Sequence, residues 1–358
     1  MTGLRAELHP FRLALRAPLV TGGVTVRFRA GFLVALSADG ITGWGEASPL
    51  PGWSRTSLLD TETALRSVCD GLVRGEVVLG TLLSAMQDTP HARAGVAGAW
   101  ADLQAQRAGR TLAEQLIADT GHLPPASVSV NALVAAADPS DVEQAADQAS
   151  QAGFGAAKLK VGEADPAVDM ERVRAARAGL GPGAELRLDA NGAWNPKTAL
   201  DVLDRVYDYD IAYCEEPVAG VEAIAEVGRR SPVPIAVDES VRSEADAVQA
   251  LDLGVGTLIV KPQALGGPDT ALAVAARARE AGASVVVTSF LDSAVGVTHA
   301  LHVAAAVDAT ASNSRAHGLA TSSILATDVA APPPVVSGAI LLVDRPGLGF
   351  DEPRAVAP

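Results

Sequence analysis

The feature that most constrains the fold of this chain is a repeat of short apolar strands and amphipathic helices that begins near residue 126. Successive strand ends lie roughly 23 to 29 residues apart, which is the length of a βα unit with a helix of three or four turns. A series of such units predicts a parallel sheet, either closed into a barrel or open and doubly wound. We expect its strands at 127–134, 156–161, 184–190, 211–217, 234–240, 255–262 and 283–290.

Capping residues mark the predicted starts of two helices in this region. Ser140 followed by Glu143 suits a capping box, in which side chain and backbone satisfy each other's hydrogen bonds. Asn195 before Pro196 suits an N-cap followed by proline in the first turn.

The residues before 126 lack this repeat. They read as antiparallel strands with a hairpin turn at Asp39–Gly40, followed by a helical pattern over 91–116. We therefore predict an α+β capping domain over 1–125, a barrel domain over 126–325, and a C-terminal segment over 326–358 that contains a short strand.

Charge and composition exclude several function classes. The formal charge is −14 and no basic block occurs, which argues against nucleic acid and anionic membrane as partners. Cys69 and Cys214 are the only cysteines, so the sequence has no disulfide framework. No apolar run approaches the ~20 residues that span a bilayer, and the first residues do not resemble a signal peptide. We expect a cytoplasmic protein.

Charged side chains gather at the carboxyl ends of successive predicted strands. In a parallel barrel, these ends surround one mouth. Three convergent carboxylates without histidine or cysteine suit Mg²⁺, which prefers oxygen ligands, and lysines on the flanking strands can serve as general bases. The residues, in strand order, are Lys158 and Lys160; Asp189 and Asn191; Glu215 and Glu216; Asp238 and Glu239; and Lys261.

Each motif alone has an ordinary structural explanation. Two lysines in a K-x-K pattern are commonly a solvated pair, and a single Asp at a βα junction is commonly a helix cap. Glu215–Glu216 could form a salt-bridged rim. It is the order Lys, Asp, Glu, Asp and Lys on five successive strands that predicts a functional site.

The motifs KLK, LDAN, EEP, DES and KP, in this order, resemble the enolase superfamily in its muconate-lactonizing subgroup. The resemblance covers nearly the whole chain. It implies an α/β fold, a modified (β/α)7β TIM-type barrel, with an α+β capping domain to which the C-terminal segment returns. It also implies a Mg²⁺ cofactor, for which Mn²⁺ is an expected substitute, and a small-molecule carboxylate substrate.

The resemblance assigns roles to the strand-end residues. The implied metal ligands are Asp189, Glu215 and Asp238. Lys160 and Lys261 would face the substrate from opposite sides, and Lys158 would tune Lys160. Asn191 and Glu239 match positions that support the metal ligands from behind.

Motifs in the cap and the last strands resemble the o-succinylbenzoate synthases of menaquinone biosynthesis. These motifs are GWGEASPLPGWS, VSVNAL, LGG, VVTSFLDSAVG and HGLATSSILATDV. Thr288 stands where a serine is common, and HGLA stands where relatives often show a cysteine and a second glycine. The expected substrate-binding residues are Arg27 or Arg29 in a glycine-rich loop, together with Gly266, Gly267, Thr288, Ser289 and Ser293.

This resemblance implies syn dehydration of 2-succinyl-6-hydroxy-2,4-cyclohexadiene-1-carboxylate to o-succinylbenzoate. Lys160 would remove the α-proton to give a metal-stabilised enediolate and then protonate the departing hydroxide on the same face. Lys261 would stabilise the intermediate by its charge. A lysine base with Mg²⁺ is the known chemistry of the superfamily.

Three alternatives remain open. The same site could racemise N-acylamino acids or epimerise dipeptides, with Lys160 and Lys261 as opposed bases. A Schiff-base aldolase could use Lys261 as its nucleophile, although such enzymes need no metal. A metabolite-binding barrel without activity would not require all five strand-end positions to be intact. The oligomeric state is also open, with a homo-oligomer among the options.

Overall fold

The computed structural model describes residues 4–21, 23–74, 79–162 and 165–354. The strands are β1 (Arg5–Thr21), β2 (Val24–Ala38), β3 (Ile41–Ala47), β4 (Ser127–Ser129), β5 (Ala132–Val134), β6 (Ala156–Lys160), β7 (Glu185–Asp189), β8 (Ile211–Glu215), β9 (Ile235–Val237), β10 (Thr257–Val260), β11 (Ser284–Val287), β12 (Val335–Val336) and β13 (Ala339–Leu341). The helices are α1 (Leu58–Arg74), α2 (Leu79–Ala85), α3 (Pro90–Ala108), α4 (Leu112–Leu116), α5 (Pro139–Gln151), α6 (Pro166–Leu180), α7 (Pro196–Val206), α8 (Val221–Arg230), α9 (Glu244–Asp252), α10 (Pro262–Leu265), α11 (Pro268–Glu280) and α12 (Ala294–Thr310).

The N-terminal part is an antiparallel sheet of β1, β2 and β3 that packs on α1 and α3. The predicted turn between β2 and β3 is confirmed. Asp39 and Gly40 have φ angles of 53° and 79°, the left-handed conformations that a tight hairpin of right-handed twist requires. Gly45 of β3 faces α3 so closely that an added Cβ would lie 2.0 Å from the carbonyl oxygen of Gly95.

The barrel is a sheet of seven parallel strands in the order β11-β10-β9-β8-β7-β6-β5. The predicted α/β fold with a TIM-type barrel is thereby confirmed. The eighth position is reduced to His317 and Gly318, which form parallel bridges with Val130 and Thr288 and so join β11 to the start of β5. The imidazole of His317 takes part in this closure, because its Nδ1 accepts the backbone N–H of Val287 at 2.8 Å.

Two local predictions differ from the structure. The strand expected over 127–134 divides, because β4 pairs antiparallel with β13 whereas β5 enters the barrel. The capping box at Ser140 and Glu143 is wrong: α5 begins two residues earlier than this box implies, and Asp138 is its N-cap, accepting the backbone N–H of Ser140 at 2.8 Å. The N-cap at Asn195 is confirmed, since its side chain accepts the N–H of Thr198.

The residues after α12 run back along the N-terminal sheet and helices. Ala326 N–H donates to the carbonyl of Ala14, and Gly347 N–H donates to that of Arg110. These contacts agree with a segment that returns to the cap, while the domain boundaries at 125 and 325 stay predictions. None of the helices among the described residues has the length and apolarity needed to cross a membrane.

Candidate active site

Three buried carboxylates meet at the carboxyl ends of β7, β8 and β9. Asp189 ends β7, Glu215 ends β8, and Asp238 follows β9 directly. Asp189 pairs in register with Glu215, and each of the three residues offers an oxygen within 4.8 Å of the others. Their relative exposures are 0%, 2% and 5%, so the carboxylates are withdrawn from bulk water.

Lys158 and Lys160 reach this cluster from β6, on the same side of the sheet. Lys158 Nζ lies 2.8 Å from Asp189 Oδ2 and 2.8 Å from Glu215 Oε2. Lys160 Nζ lies 2.7 Å from Asp189 Oδ2 and 2.7 Å from Asn191 Oδ1. The alternation of a strand explains why both lysines, two residues apart, face the carboxylates.

Lys261 approaches from the opposite flank. It follows β10, and β6 and β10 lie on either side of the three carboxylate strands in the sheet order. Its ammonium is ion-paired with Asp238, and Nζ lies 5.7 Å from the ring centroid of Trp53 in the loop after β3. Sequence reasoning did not single out Trp53, although it lies within the GWGEASPLPGWS motif.

Asn191 and Glu239 are hydrogen-bonded to each other beside Lys160, and their supporting role stays a prediction. Asn191 Nδ2 donates to Glu239 Oε1 at 2.7 Å while its carbonyl oxygen accepts from Lys160. The sequence allows Glu216 to be a salt-bridged rim residue, but its side chain is buried. Its Oε2 accepts the backbone N–H of Asp238 at 2.9 Å and so helps to fix the position of Asp238. Glu216 has a positive φ of 40°, so the backbone leaves the extended strand conformation directly after Glu215.

Burial and neighbouring carboxylates shift the pKa values of charged groups in the cluster. Burial raises the pKa of Glu215 to about 7 in spite of Lys158, and burial with the charge of Asp238 raises the pKa of Glu239 to about 8. Burial would lower the pKa of Lys158, but Asp189 and Glu215 outweigh it and hold that pKa well above its ordinary value. The site thus places Glu215 and Glu239 where burial disfavours their charged forms, beside lysines that favour them.

The residues present fit a divalent metal ion. The donor set of Asp189, Glu215 and Asp238 consists of carboxylate oxygens, the ligands that Mg²⁺ prefers. Glu239 Oε2 is a buried oxygen beside this set that has no hydrogen-bond partner, which is costly without a cation nearby. A dication would relieve both the repulsion within the set and this unpaired oxygen.

The two arginines considered for substrate binding differ in exposure. Arg29 is 1% exposed, and its guanidinium donates to the carbonyls of Ser48, Pro49 and Leu291, so it is closed to a substrate. Its role here is to tie the cap to the loop after β11. Arg27 is exposed on β2, and its contact with substrate stays a prediction.

Ser293 was likewise expected to bind substrate, but it is fully buried. It is the N-cap of α12, and its Oγ donates to Glu46 Oε2 at 2.5 Å. Thr288 and Ser289 lie at the carboxyl end of β11, where Ser289 Oγ is 2.7 Å from Thr321 Oγ1. A substrate contact by Thr288 or Ser289 stays a prediction.

Gly266 and Gly267 lie between α10 and α11. Both have positive φ angles, 96° and 132°, that favour glycine. A Cβ on Gly267 would lie 2.9 Å from Ala97 Cβ of α3, so this glycine allows close packing with the cap. Their predicted contact with substrate has no further support from these distances.

Comparisons with known proteins agree with this geometry. Residues 140–355 match the family model described as enolase C-terminal domain-like, and residues 4–101 match that described as the MenC N-terminal domain. An o-succinylbenzoate synthase of Thermobifida fusca is 38% identical over 61% of this chain and 67% of its own length. One from Citrobacter koseri is 30% identical over 84% of this chain and 86% of its own length.

Among solved structures, the L-Ala-D/L-Glu epimerase of Bacillus subtilis, in a substrate-liganded complex, superposes with a TM-score of 0.86 at 28% identity. The match covers 97% of this chain and 98% of that one. Proteins named as synthases thus resemble the chain in sequence, and one named as an epimerase resembles it in structure. The family matches, the barrel and the three carboxylates at its mouth together establish that the chain belongs to the enolase superfamily.

Proposed function

We propose that this chain catalyses the Mg²⁺-dependent syn dehydration of 2-succinyl-6-hydroxy-2,4-cyclohexadiene-1-carboxylate to o-succinylbenzoate, a step of menaquinone biosynthesis. The observation that carries the chemistry is the placement of Lys160 and Lys261 on either side of three buried carboxylates. The choice of substrate is supported by the MenC N-terminal domain over 4–101 and by the relatives named o-succinylbenzoate synthase.

In this proposal Asp189, Glu215 and Asp238 hold the metal. When bound, a dication would attract the substrate carboxylate and balance the negative charge that develops on it as the adjacent C–H bond breaks. Asn191, supported by Glu239, holds Lys160 in place, and Glu216 holds the backbone of Asp238, through the hydrogen bonds described above. We expect Mn²⁺ to serve in place of Mg²⁺.

Lys160 is the proposed base. Its Nζ takes the α-proton, and the electron pair of the broken C–H bond moves onto the adjacent carboxylate group; the pair forms the new double bond of the ring when the C–O bond breaks. The same ammonium then gives the proton to the hydroxyl group, which leaves as water from the same face. Lys261 remains charged on the opposite flank and stabilises the anionic intermediate.

Epimerisation of dipeptides or racemisation of N-acylamino acids is the second candidate. It is favoured by the likeness to the Bacillus subtilis epimerase, and by the two lysines on opposite flanks, which suit removal of a proton from one face and return to the other. A Schiff-base role for Lys261 has less support, because the three buried carboxylates suit a metal ion, which a Schiff-base mechanism does not need.

A direct assay separates these candidates. Purified protein with Mg²⁺ should aromatise the cyclohexadiene substrate. The change in ultraviolet absorbance measures this reaction. In parallel, N-succinylamino acids and Ala-Glu dipeptides are incubated in D₂O, and loss of the α-proton signal is followed by NMR. Exchange of the α-proton in a dipeptide without any aromatisation would overturn the proposal in favour of the epimerase.

A further inference from the structure

A buried polar chain joins the cap to the strand end that carries Lys261. Ser54 Oγ lies 2.7 Å from His91 Nε2, and His91 Nδ1 lies 3.1 Å from Gln263 Oε1. Gln263 Nε2 donates to Asp292 Oδ1 at 2.9 Å. His91 and Gln263 are 2% and 7% exposed, and Gln263 follows Lys261 by two residues.

The partners fix the direction of each hydrogen bond in this chain. The backbone N–H of Ser48, which can only donate, points at Gln263 Oε1 at 2.8 Å, so this atom is the amide oxygen. His91 Nδ1 must therefore carry the proton that it donates to Gln263, and Nε2 accepts the hydroxyl proton of Ser54. Burial lowers the pKa of His91 to about 4, which agrees with a neutral ring, and the ring stacks on Phe290 at 5.5 Å.

The Ser54 hydroxyl also closes a tight turn in the cap loop 48–54. Its Oγ accepts the N–H of Leu50 at 2.8 Å, while the N–H groups of Ser54 and Trp53 donate to the Leu50 carbonyl. The turn presents Trp53, whose ring centroid is 5.7 Å from Lys261 Nζ. One end of the polar chain thus sets the position of Trp53, and the other end lies beside Lys261.

We propose that Ser54, His91 and Gln263 are positioning residues that hold Trp53 over Lys261 and thereby form one wall of the substrate pocket. The inference deepens the proposed function, because it assigns these residues to the same site. They act through Trp53, which presents an aromatic face beside a cation. Such a wall suits a flat, unsaturated ring that carries a carboxylate, which would stack on Trp53 while its charge lies toward the lysine.

The first test compares two buried histidines of similar environment. His91→Phe keeps the ring but removes both hydrogen bonds of the chain. His302→Phe is the matched control, because His302 is 1% exposed and is also hydrogen-bonded. Its Nδ1 accepts the N–H of Ala113 at 3.1 Å, and Ala113 lies in α4, outside the loop 48–54. We expect His91→Phe to lower kcat/KM on the order of 10-fold, mainly through KM, whereas His302→Phe lowers the melting temperature without that change.

A double-mutant cycle tests whether His91 acts through Trp53. In a Trp53→Ala background, adding His91→Phe should change kcat/KM by less than about 2-fold, because the wall it positions is already absent. An undiminished effect of His91→Phe in that background would overturn the proposal. If His91→Phe does not fold, Ser54→Ala replaces it in the cycle, and Ser54→Thr, which keeps the hydroxyl, should restore kcat/KM.

A readout independent of the reaction separates this inference from the proposed function. The fluorescence of Trp53 is obtained as the difference between a protein and its Trp53→Phe partner, and its quenching by acrylamide is measured. Quenching should rise in His91→Phe and stay unchanged in His302→Phe, whichever substrate the enzyme uses. Equal quenching in the His91→Phe variant and the parent protein would overturn the inference, even if the dehydratase assay succeeds.

Discussion

Lys160 is the residue on which the proposed chemistry depends most. Its Nζ lies 2.7 Å from Asp189 Oδ2 and its side chain is nearly a third exposed, so the lysine reaches the candidate metal site and is also open to solvent. We expect Lys160→Ala to lose on the order of 10³-fold or more in kcat, because the base is removed while the strand remains. The exposed Lys197→Ala serves as control for general effects of losing a lysine. Near-normal turnover of a folded Lys160→Ala protein would show that another group is the base.

Lys261 distinguishes the one-base reaction from the two-base reaction. If its charge alone is needed, Lys261→Arg should retain measurable dehydratase activity, well above that of Lys261→Ala, although the longer planar guanidinium displaces the charge. If Lys261 is the second base of an epimerase, Lys261→Arg should instead abolish α-proton exchange for one enantiomer. The two variants are compared by kcat with the cyclohexadiene substrate and by exchange in D₂O. Equal inactivity of both folded variants would count against a purely electrostatic role.

The metal ligands make a prediction that does not depend on the substrate. EDTA should abolish activity, and Mg²⁺ or Mn²⁺ should restore it. Asp238→Asn replaces an anionic ligand by a neutral one in a set whose oxygens lie within 4.8 Å of one another, so it should weaken metal affinity by 10-fold or more. Calorimetric titration of Mg²⁺ into the EDTA-treated protein measures this directly. Full turnover of the metal-free protein would refute the assignment.

For individual residues, the sequence predicts the placement of side chains whose position follows from the strand repeat. It does not predict the placement of side chains that are fixed by contacts distant in sequence. Lys158, Asp189 and Glu215 could be placed because strand ends of a parallel barrel share one mouth. The burial of Arg29 and of Ser293 could not, because Arg29 bonds to Leu291 and Ser293 bonds to Glu46, each more than two hundred residues away in sequence.

Among the secondary-structure elements, β3 and α3 pack closely against each other in the cap. A Cβ on Gly45 would lie 2.0 Å from the Gly95 carbonyl oxygen and 2.7 Å from the Ala99 nitrogen, both backbone atoms that cannot rotate away. We therefore expect Gly45→Ala to lower the free energy of unfolding by about 1–3 kcal/mol or more. Gly80→Ala in α2 is the control, since nothing lies within 4 Å of its added Cβ. Urea unfolding of both variants measures the difference, and equal stability would mean that the sheet and helix separate readily.

The barrel strands that belong to complete βα repeats can be predicted from the sequence. The strands at which the barrel closes cannot. The expected strands from 156 to 290 all occur, shortened by one to a few residues at their ends. The eighth position had no signal because His317 and Gly318 are too few to show an alternation. The division of 127–134 into β4 and β5 depends on β13, which arrives from the end of the chain.

For the molecule as a whole, Asp102 joins parts of the chain that are far apart in sequence. This α3 residue is 1% exposed; its Oδ2 accepts the N–H of Trp44 in β3, and its Oδ1 accepts the N–H of Leu348 in the C-terminal segment, each at 2.8 Å. An Asn at this position has one acceptor oxygen, so its amide group would face a backbone N–H. We expect Asp102→Asn to be less stable than the parent protein at every pH at which both fold.

The same residue predicts how this difference depends on pH. Burial raises the pKa of Asp102 to about 6 from its ordinary 3.8, against the hydrogen bonds that lower it. The folded chain therefore binds the proton more tightly than the unfolded chain, and the resulting stabilisation is complete below about pH 4 and is lost as the pH rises through 6. Asn cannot titrate, and the other carboxyl groups are common to both proteins. The parent should thus gain about 1 kcal/mol over Asp102→Asn between pH 7 and pH 5, measured by urea unfolding in one buffer series. A difference that stays constant over this range would show that Asp102 is ionised throughout, so that the C-terminal segment is held to the cap by a buried charge.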